Sequence, residues 1–291
     1  MSKVKFKRLT IIGVGLIGGS LARAVRQMGA CDDIVGCGRD KKHLQQAVDL
    51  GVIDRFETDI ATAVHGADMV VVATPLGAME TVFSAMSNQL AVDAVITDVG
   101  SAKVSVAEAA CRTLGDRLSC FVPGHPIAGT EKSGVAASLV GLFENRSVIL
   151  TPLAETSEQA LARVRDLWSC TGAIISETTV DHHDQILAAT SHLPHLLAYT
   201  LVDTLVSMDD SEEIFRYAAG GFRDFTRIAS SDPIMWRDIC RANKSAILDV
   251  MERYETQLKT LKQMLHDDRV DDAIEIFSRA KKARDKLVVK E

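Results

Sequence analysis

The sequence predicts an α/β fold: a doubly wound, mainly parallel sheet over residues 1–178, followed by an all-α region over residues 179–291. Two observations carry this expectation. Six short apolar runs, at residues 9–12, 34–37, 68–74, 94–98, 120–122 and 147–150, are Val/Ile-rich and nearly unbroken, as strands buried on both faces must be. Past about Val180 such runs stop, and apolar residues recur at helical spacing to the C-terminus.

Taken in order, residues 9–12 form the first strand and residues 20–28 a helix-friendly segment after a glycine turn. A second strand at 34–37 precedes a helical pattern over 41–50, long enough to cross over to the third strand at 68–74. That strand closes on Ala73-Thr74-Pro75, and the next, 94–98, closes on Thr97-Asp98-Val99-Gly100-Ser101-Ala102-Lys103. The strand at 120–122 runs into Gly124-His125-Pro126-Ile127-Ala128-Gly129. In the second half, residues 186–206 are the most apolar long stretch and read as one buried helix. His192, Pro194, His195 and Asp203 within that stretch argue against a membrane span. Ile247, Met251, Tyr254, Leu258, Leu261 and Leu265 alternate by fours and threes, a packing seam that fits a bundle face or a dimer interface equally.

Residues 3–24, KVKFKRLTIIGVGLIGGSLARA, admit two readings. A basic head, an apolar run and Ala22-Arg23-Ala24 have the outline of a secretory signal. The same letters hold Gly13, Gly15 and Gly18, the G-x-G-x-x-G turn that joins a strand to a helix and cradles a pyrophosphate. The second reading is preferred, because cleavage after Ala24 would remove the first strand of a sheet whose later strands are all present. Gly13, Gly15, Leu16, Ile17 and Gly18 are therefore cofactor-binding candidates, with Thr74 and Pro75 beside them.

An NAD-type fingerprint carries an acidic residue about 20 positions on, at the end of the second strand, to hold the ribose hydroxyls. Here Gly38 occupies that place and Arg39 follows. Loss of the carboxylate removes repulsion against a 2′-phosphate, and a guanidinium can pair with it. The pair points towards NADP+, with NAD+ the alternative and the neighbouring Asp40 the competing feature.

Composition excludes other classes. A net charge of −6 with scattered Lys and Arg gives no electrostatic footprint for nucleic acid. Six cysteines without a C-x-x-C pair read as reduced thiols, which favours the cytoplasm. Asp181-His182-His183-Asp184 and His192/His195 match no strong zinc spacing, so no metal is expected; His183 and Asp184 read as lying near a helix start.

His125, at a strand end where open α/β sheets bind ligands, is a candidate acid/base group. His192 and His195, three apart, share one helical face. Arg223 and Arg227 flank Asp224 in GGFRDFTR, a guanidinium pair suited to a substrate carboxylate or to surface ion pairs.

GVGLIGGSLA, TDVGSAK, GHPIAGTEKSG, ATSHLPH and GGFRDFTRIASSDPIMWRDI occur in this order, and together they resemble the prephenate dehydrogenase family, including cyclohexadienyl and arogenate dehydrogenases. The likeness runs from about Arg8 through Trp236 and into the C-terminal helices. It implies a Rossmann-type domain, a helical substrate and dimerisation domain, a homodimer, and oxidation of a cyclohexadienol in tyrosine synthesis with NAD(P)+. It also implies that His125 hydrogen-bonds the ring hydroxyl, that Ser101 orients that hydroxyl and the nicotinamide, and that Arg227 binds a carboxylate. His195 and Trp236 would line the pocket, and Glu131 and Asp224 would belong to an ionic network at its mouth. The glycine turn alone fits equally a hydroxy-acid or imino-acid dehydrogenase, or a non-catalytic dinucleotide sensor; the last three motifs separate these readings.

Overall fold

The computed structural model describes residues 5–130 and 132–288, the last two by backbone alone. By internal contacts the chain falls into two compact units, Met1–Lys244 and Ser245–Glu291.

The first unit is built on six parallel strands: β1 Phe6–Ile12, β2 Cys31–Cys37, β3 Arg55–Glu57, β4 Met69–Val72, β5 Val95–Asp98 and β6 Phe121–Val122. Their order is β3-β2-β1-β4-β5-β6. The crossovers are helices α1 Leu16–Gln27, α2 Lys41–Asp49, α3 Ile60–Val64, α4 Met79–Met86 and α5 Val104–Thr113. Strand alternation divides the core between the two faces. Leu9, Ile11, Met69 and Val71 enter one buried cluster, while Ile12, Val70, Val72 and Ile96 enter the other. The strand order reverses between β1 and β4, and Ile12 sits level with both Cys37 and Val72. The glycine turn after β1 therefore opens at the switch point of the sheet, where such folds bind their ligands.

A smaller sheet follows: β7 Gly124–Pro126, β8 Ser147–Leu150 and β9 Ile174–Glu177, with helix α6 Glu158–Ser169 between β8 and β9. β7 pairs antiparallel with β8, and β8 pairs parallel with β9. Helices α7 Val180–Leu187, α8 Leu193–Val206, α9 Ser211–Arg216, α10 Gly220–Thr226 and α11 Pro233–Ala242 complete this unit, with a π turn at Ala188–His192 between α7 and α8. Local chemistry sets several starts. Thr179 caps α7 by accepting from the His182 N–H, and Asp232 caps α11 through Ile234 and Met235 with Pro233 in its first turn.

The second unit holds most of α12 Lys244–His266, a 3₁₀ turn at Val270–Asp272 and α13 Ala273–Val288. On α12, Ile247 is buried, whereas Met251, Tyr254, Leu258 and Leu265 are exposed. The predicted seam is thus a largely open apolar face on this chain.

Three expectations change. Residues 147–150 form a strand but leave the parallel sheet. Pro123 has no N–H to continue the ladder that ends at Val122, so the chain turns away and its next segment pairs with Ser147–Leu150 instead. The strands β3, β7 and β9 were not foreseen: β3 has charged residues at two of its three positions, β7 ends on Pro126, and only the first half of β9 is apolar. Residues 186–206 are not one buried helix. The π turn interrupts them, and within α8 only Leu193 and Ala198 are buried. Leu196, Leu197, Leu201, Val202 and Leu205 are only partly buried, and Val206 is exposed.

Candidate active site

The glycine turn has a shape that suits a dinucleotide. Gly13 has φ +99°, and a Cβ there would meet the Ala73 carbonyl oxygen at 2.4 Å. A Cβ on Gly18 would meet the Gly13 carbonyl oxygen at 2.2 Å, so β1 and α1 can pack only with glycine at this position. Gly15, by contrast, has open space where a side chain would go. Leu16 and Ile17 begin α1, whose first turn has no acidic residue and no side-chain cap. The free N–H groups and the open backbone at Gly15 fit a pyrophosphate. Thr74 and Pro75 lie directly after Ala73, whose N–H donates to the Ile12 carbonyl at 2.7 Å. At the end of β2, Arg39 is exposed. The Asp40 carboxylate caps α2 through Oδ1 alone, which accepts from the Lys42 and His43 N–H groups at 2.8 and 3.2 Å.

A buried polar network ties the loops after β5 and β6 together. Lys103 Nζ donates to Asp98 Oδ2 and to the Gly124 carbonyl, both at 2.6 Å, and both charged side chains are wholly buried. Asp98 also accepts from the Gly100 N–H at 2.7 Å and the Gly124 N–H at 3.1 Å. The carboxylate thus fixes Gly100-Ser101 and Gly124-His125 relative to each other. The His125 ring Nδ1 lies 2.9 Å from His183 Nε2, and His183 Nδ1 lies 2.7 Å from Asp184 Oδ1. Asp184 in turn accepts from the Lys103 and Val104 N–H groups at 2.7 and 3.0 Å, capping α5 from α7. Burial, helped by His183, Lys103 and His192, pushes the His125 imidazole well below its ordinary pKa, so the ring is neutral near pH 7.

A second group surrounds Trp236. The His195 ring stacks on the indole at 4.1 Å between centroids, and His192 meets it edge-on at 6.0 Å. The indole N–H is buried without a hydrogen-bond partner among the described residues. Asn243 links this group to the first: its amide donates to His192 Nδ1 at 3.1 Å and to the Asp184 carbonyl at 2.8 Å. Burial pushes His192 down to about 4. His195 is also lowered, by burial first and then by the nearby positive charge of Arg227. Arg227 therefore lies within electrostatic reach of the stacked rings.

The structure thus brings His125, Ser101, His195, Trp236 and Arg227 into one connected region, although they come from four separate motifs. The expected shared face of His192 and His195 appears as a shared contact with Trp236. Asp224 is exposed on α10, with no hydrogen bond or ion pair seen among the described residues. Glu131 lies outside the described residues. Asp98, Lys103 and Asn243 join the site without having been sequence candidates, and His183 and Asp184, expected only near a helix start, are linked to His125. TDVGSAK carried a signal, because a lysine five residues after a strand-end aspartate is poised to pair with it. Asn243 had none. Among the described residues no group of three or more His, Cys, Asp or Glu side chains could hold a metal ion, and no helix is long and apolar enough to cross a membrane.

Comparison with known proteins decides the family. The sequence model of the prephenate dehydrogenase nucleotide-binding domain matches residues 21–177, and that of the prephenate dehydrogenase dimerization domain matches residues 179–279. The chain belongs to the prephenate dehydrogenase family. Like other members it is an oxidoreductase with a nicotinamide-dinucleotide domain. It is 41% identical to a cyclohexadienyl dehydrogenase of Zymomonas mobilis, over 96% of this chain and 95% of that protein. Its fold matches the crystal structure of a prephenate dehydrogenase from A. aeolicus, in complex with hydroxyphenyl propionate and NAD+, with a TM-score of 0.91 and 37% identity, covering 98% of this chain and 100% of that one. A Synechocystis arogenate dehydrogenase matches with a TM-score of 0.79 and 27% identity, covering 96% and 99% of the two chains.

Proposed function

We propose that this chain catalyses the oxidative decarboxylation of prephenate to 4-hydroxyphenylpyruvate, of arogenate to tyrosine, or of both, in tyrosine biosynthesis. The observation that carries the reading is a neutral, buried His125 held at the ligand-binding edge of the sheet, in a network continuous with the His195–Trp236 stack beside Arg227. When bound, a nicotinamide dinucleotide, whose pyrophosphate the Gly13–Gly18 turn would hold, would supply the hydride acceptor. Every other contribution falls to the chain. Arg227 binds a substrate carboxylate through its planar guanidinium. His195 and Trp236 give the ring a flat wall. Ser101 orients the hydroxyl, and the His125 nitrogen that is not bonded to His183 accepts a hydrogen bond from it. As hydride leaves the carbon bearing that hydroxyl, His125 stabilises the positive charge that develops on the C–O unit and takes the proton. The bond to the ring carboxylate then breaks, carbon dioxide departs, the electron pair completes the aromatic ring with the negative charge on the former hydroxyl oxygen, and that oxygen recovers its proton from His125. Because aromatisation drives the reaction, orientation and polarisation suffice, and the mechanism uses no metal. Glu131 and Asp224 complete the reading as acidic groups at the pocket mouth.

NADP+ is the cofactor we favour, because Gly38 leaves the ribose position without a carboxylate and Arg39 is exposed there. The test crosses prephenate and arogenate against NAD+ and NADP+ in initial-rate assays with carbon dioxide release. Turnover of at least one cyclohexadienol is expected, with the lower KM for NADP+ and a rise of about tenfold in that KM for Arg39→Ala, the size of one exposed charge-assisted contact. Absence of turnover with both substrates would refute the activity; an unchanged KM in the variant would refute the cofactor assignment.

We further propose a nucleotide domain over residues 1–178 and a helical substrate and dimerisation domain over residues 179–291, in a cytoplasmic homodimer. The family-model boundaries, the open apolar face of α12 and the six unpaired cysteines support this. Sedimentation equilibrium should return twice the chain mass; a monomer mass would overturn the dimer.

A further inference from the structure

The proposed chemistry needs His125 in one particular state: neutral, with the lone pair on Nε2. A neutral imidazole carries a single proton on either nitrogen, and the partner of one nitrogen decides the state of the other. The partners around His125 make that decision in sequence. Asp184 receives two backbone N–H donors, from Lys103 and Val104, and acts as an acceptor in each contact. His183 Nδ1, 2.7 Å from Asp184 Oδ1, must therefore carry a proton. His183 is wholly buried, and burial holds its pKa below the ordinary value, with Lys103 adding to the effect and Asp184 and Asp98 opposing it. The ring is then neutral, and its Nε2 has only a lone pair to offer. His125 Nδ1, 2.9 Å from that lone pair, has to be the donor. The one proton of His125 is thereby placed on Nδ1, and Nε2 is left as the acceptor.

We infer that His183 and Asp184 are positioning residues that lock His125 in its Nδ1–H tautomer and so present Nε2 as the hydrogen-bond acceptor for the substrate hydroxyl. The inference rests on the activity proposed above for its catalytic consequence, while the tautomer itself is a property of the chain alone. The geometry also gives the proton arriving on Nε2 a route for its charge. As His125 becomes cationic, its Nδ1–H bond to His183 strengthens, and the His183 Nδ1–H bond to the Asp184 carboxylate strengthens behind it. The anion acts at one remove, so His125 stays neutral in the resting enzyme, whereas a carboxylate in direct contact would raise its pKa. The α5 cap explains why Asp184 does not swing away: two backbone donors hold it whether or not His183 is present.

Two measurements on the enzyme test this. Long-range ¹H–¹⁵N correlation at pH 7.5, with the His125 signals assigned by their loss in His125→Asn, should show Nδ1 protonated and Nε2 bare. A proton on Nε2 would overturn the inference whatever the substrate proves to be. Kinetics then read the consequence with whichever cyclohexadienol the enzyme turns over. His183→Leu removes the acceptor and should lower kcat about 100-fold, the low end of what acid–base catalysis contributes, with the substrate KM little changed. His183→Gln can place an amide oxygen near the lost Nε2 and should recover most of that loss. Equal kcat values in the Leu and Gln variants would show a packing role only and refute the assignment. If the wild-type enzyme oxidises neither substrate, the proposed function fails, and the tautomer measurement still decides the inference.

Discussion

His125→Asn is expected to lower kcat by about 100- to 10,000-fold, the range over which a positioned acid–base group acts, while substrate affinity is largely retained. Asparagine is the informative replacement. Its amide sits near the position of the imidazole Nδ1 and can still donate to His183 Nε2, now 2.9 Å from the His125 ring. It has no second nitrogen, so only the acceptor used by the substrate disappears. The wild-type pH profile belongs to the same prediction. Burial, His183, Lys103 and His192 hold the His125 imidazole well below its ordinary value of 6.5. Lowering the pH through 6.5 therefore leaves the ring unprotonated, and kcat should stay on its plateau there, falling only at more acidic pH. Stopped-flow single-turnover rates, which isolate the chemical step, are the appropriate measurement. A variant with wild-type kcat would remove His125 from the mechanism.

Lys103→Met is expected to destabilise the fold by about 3–5 kcal/mol, the usual result of deleting one partner of a buried ion pair. Lys103 and Asp98 are both fully buried, so solvent cannot screen the carboxylate once the ammonium is gone. The Gly124 carbonyl loses a donor at the same time. For a unit of this size the loss corresponds to a fall in Tm of roughly 6–20 °C. Thermal denaturation by circular dichroism would measure it. The double variant Asp98→Asn/Lys103→Met should be less destabilised than the single one, because no uncompensated charge remains. A Tm unchanged in Lys103→Met would mean that the pair contributes little to stability, and the network would then need another anchor.

The parallel sheet and its glycine turn were readable because both are local. Strands buried on two faces must be continuously apolar, as residues 69–72 (MVVV) are, and a G-x-G-x-x-G turn needs glycine at fixed offsets for steric reasons that the 2.2 Å and 2.4 Å approaches make plain. The same logic hid β3, β7 and β9. Three- or four-residue strands with charges or a terminal proline carry no periodicity to detect. The seam at Ile247, Met251, Tyr254, Leu258, Leu261 and Leu265 was legible as a pattern, but sequence could not say whether its partner lay in the same chain. Met251, Tyr254, Leu258 and Leu265 are exposed in the folded chain.

Among the site residues, the types were visible and the relations were not. Sequence by itself determined the family, the nucleotide turn, the missing acidic residue at Gly38, and the short list of His, Ser, Arg and Trp candidates, because each lies in a contiguous motif. Only the tertiary structure decided that His183, 58 residues from His125, sets its hydrogen bonding, and that Asp184 reaches back 81 residues to cap the helix after Lys103. It also decided that Asp40 caps α2 and that Asn243 joins the two histidine groups. The physical reason is the same in each case. A hydrogen bond is specified by a distance of about 3 Å between two atoms, and the chain separation of its partners carries no trace of that distance until the backbone has folded.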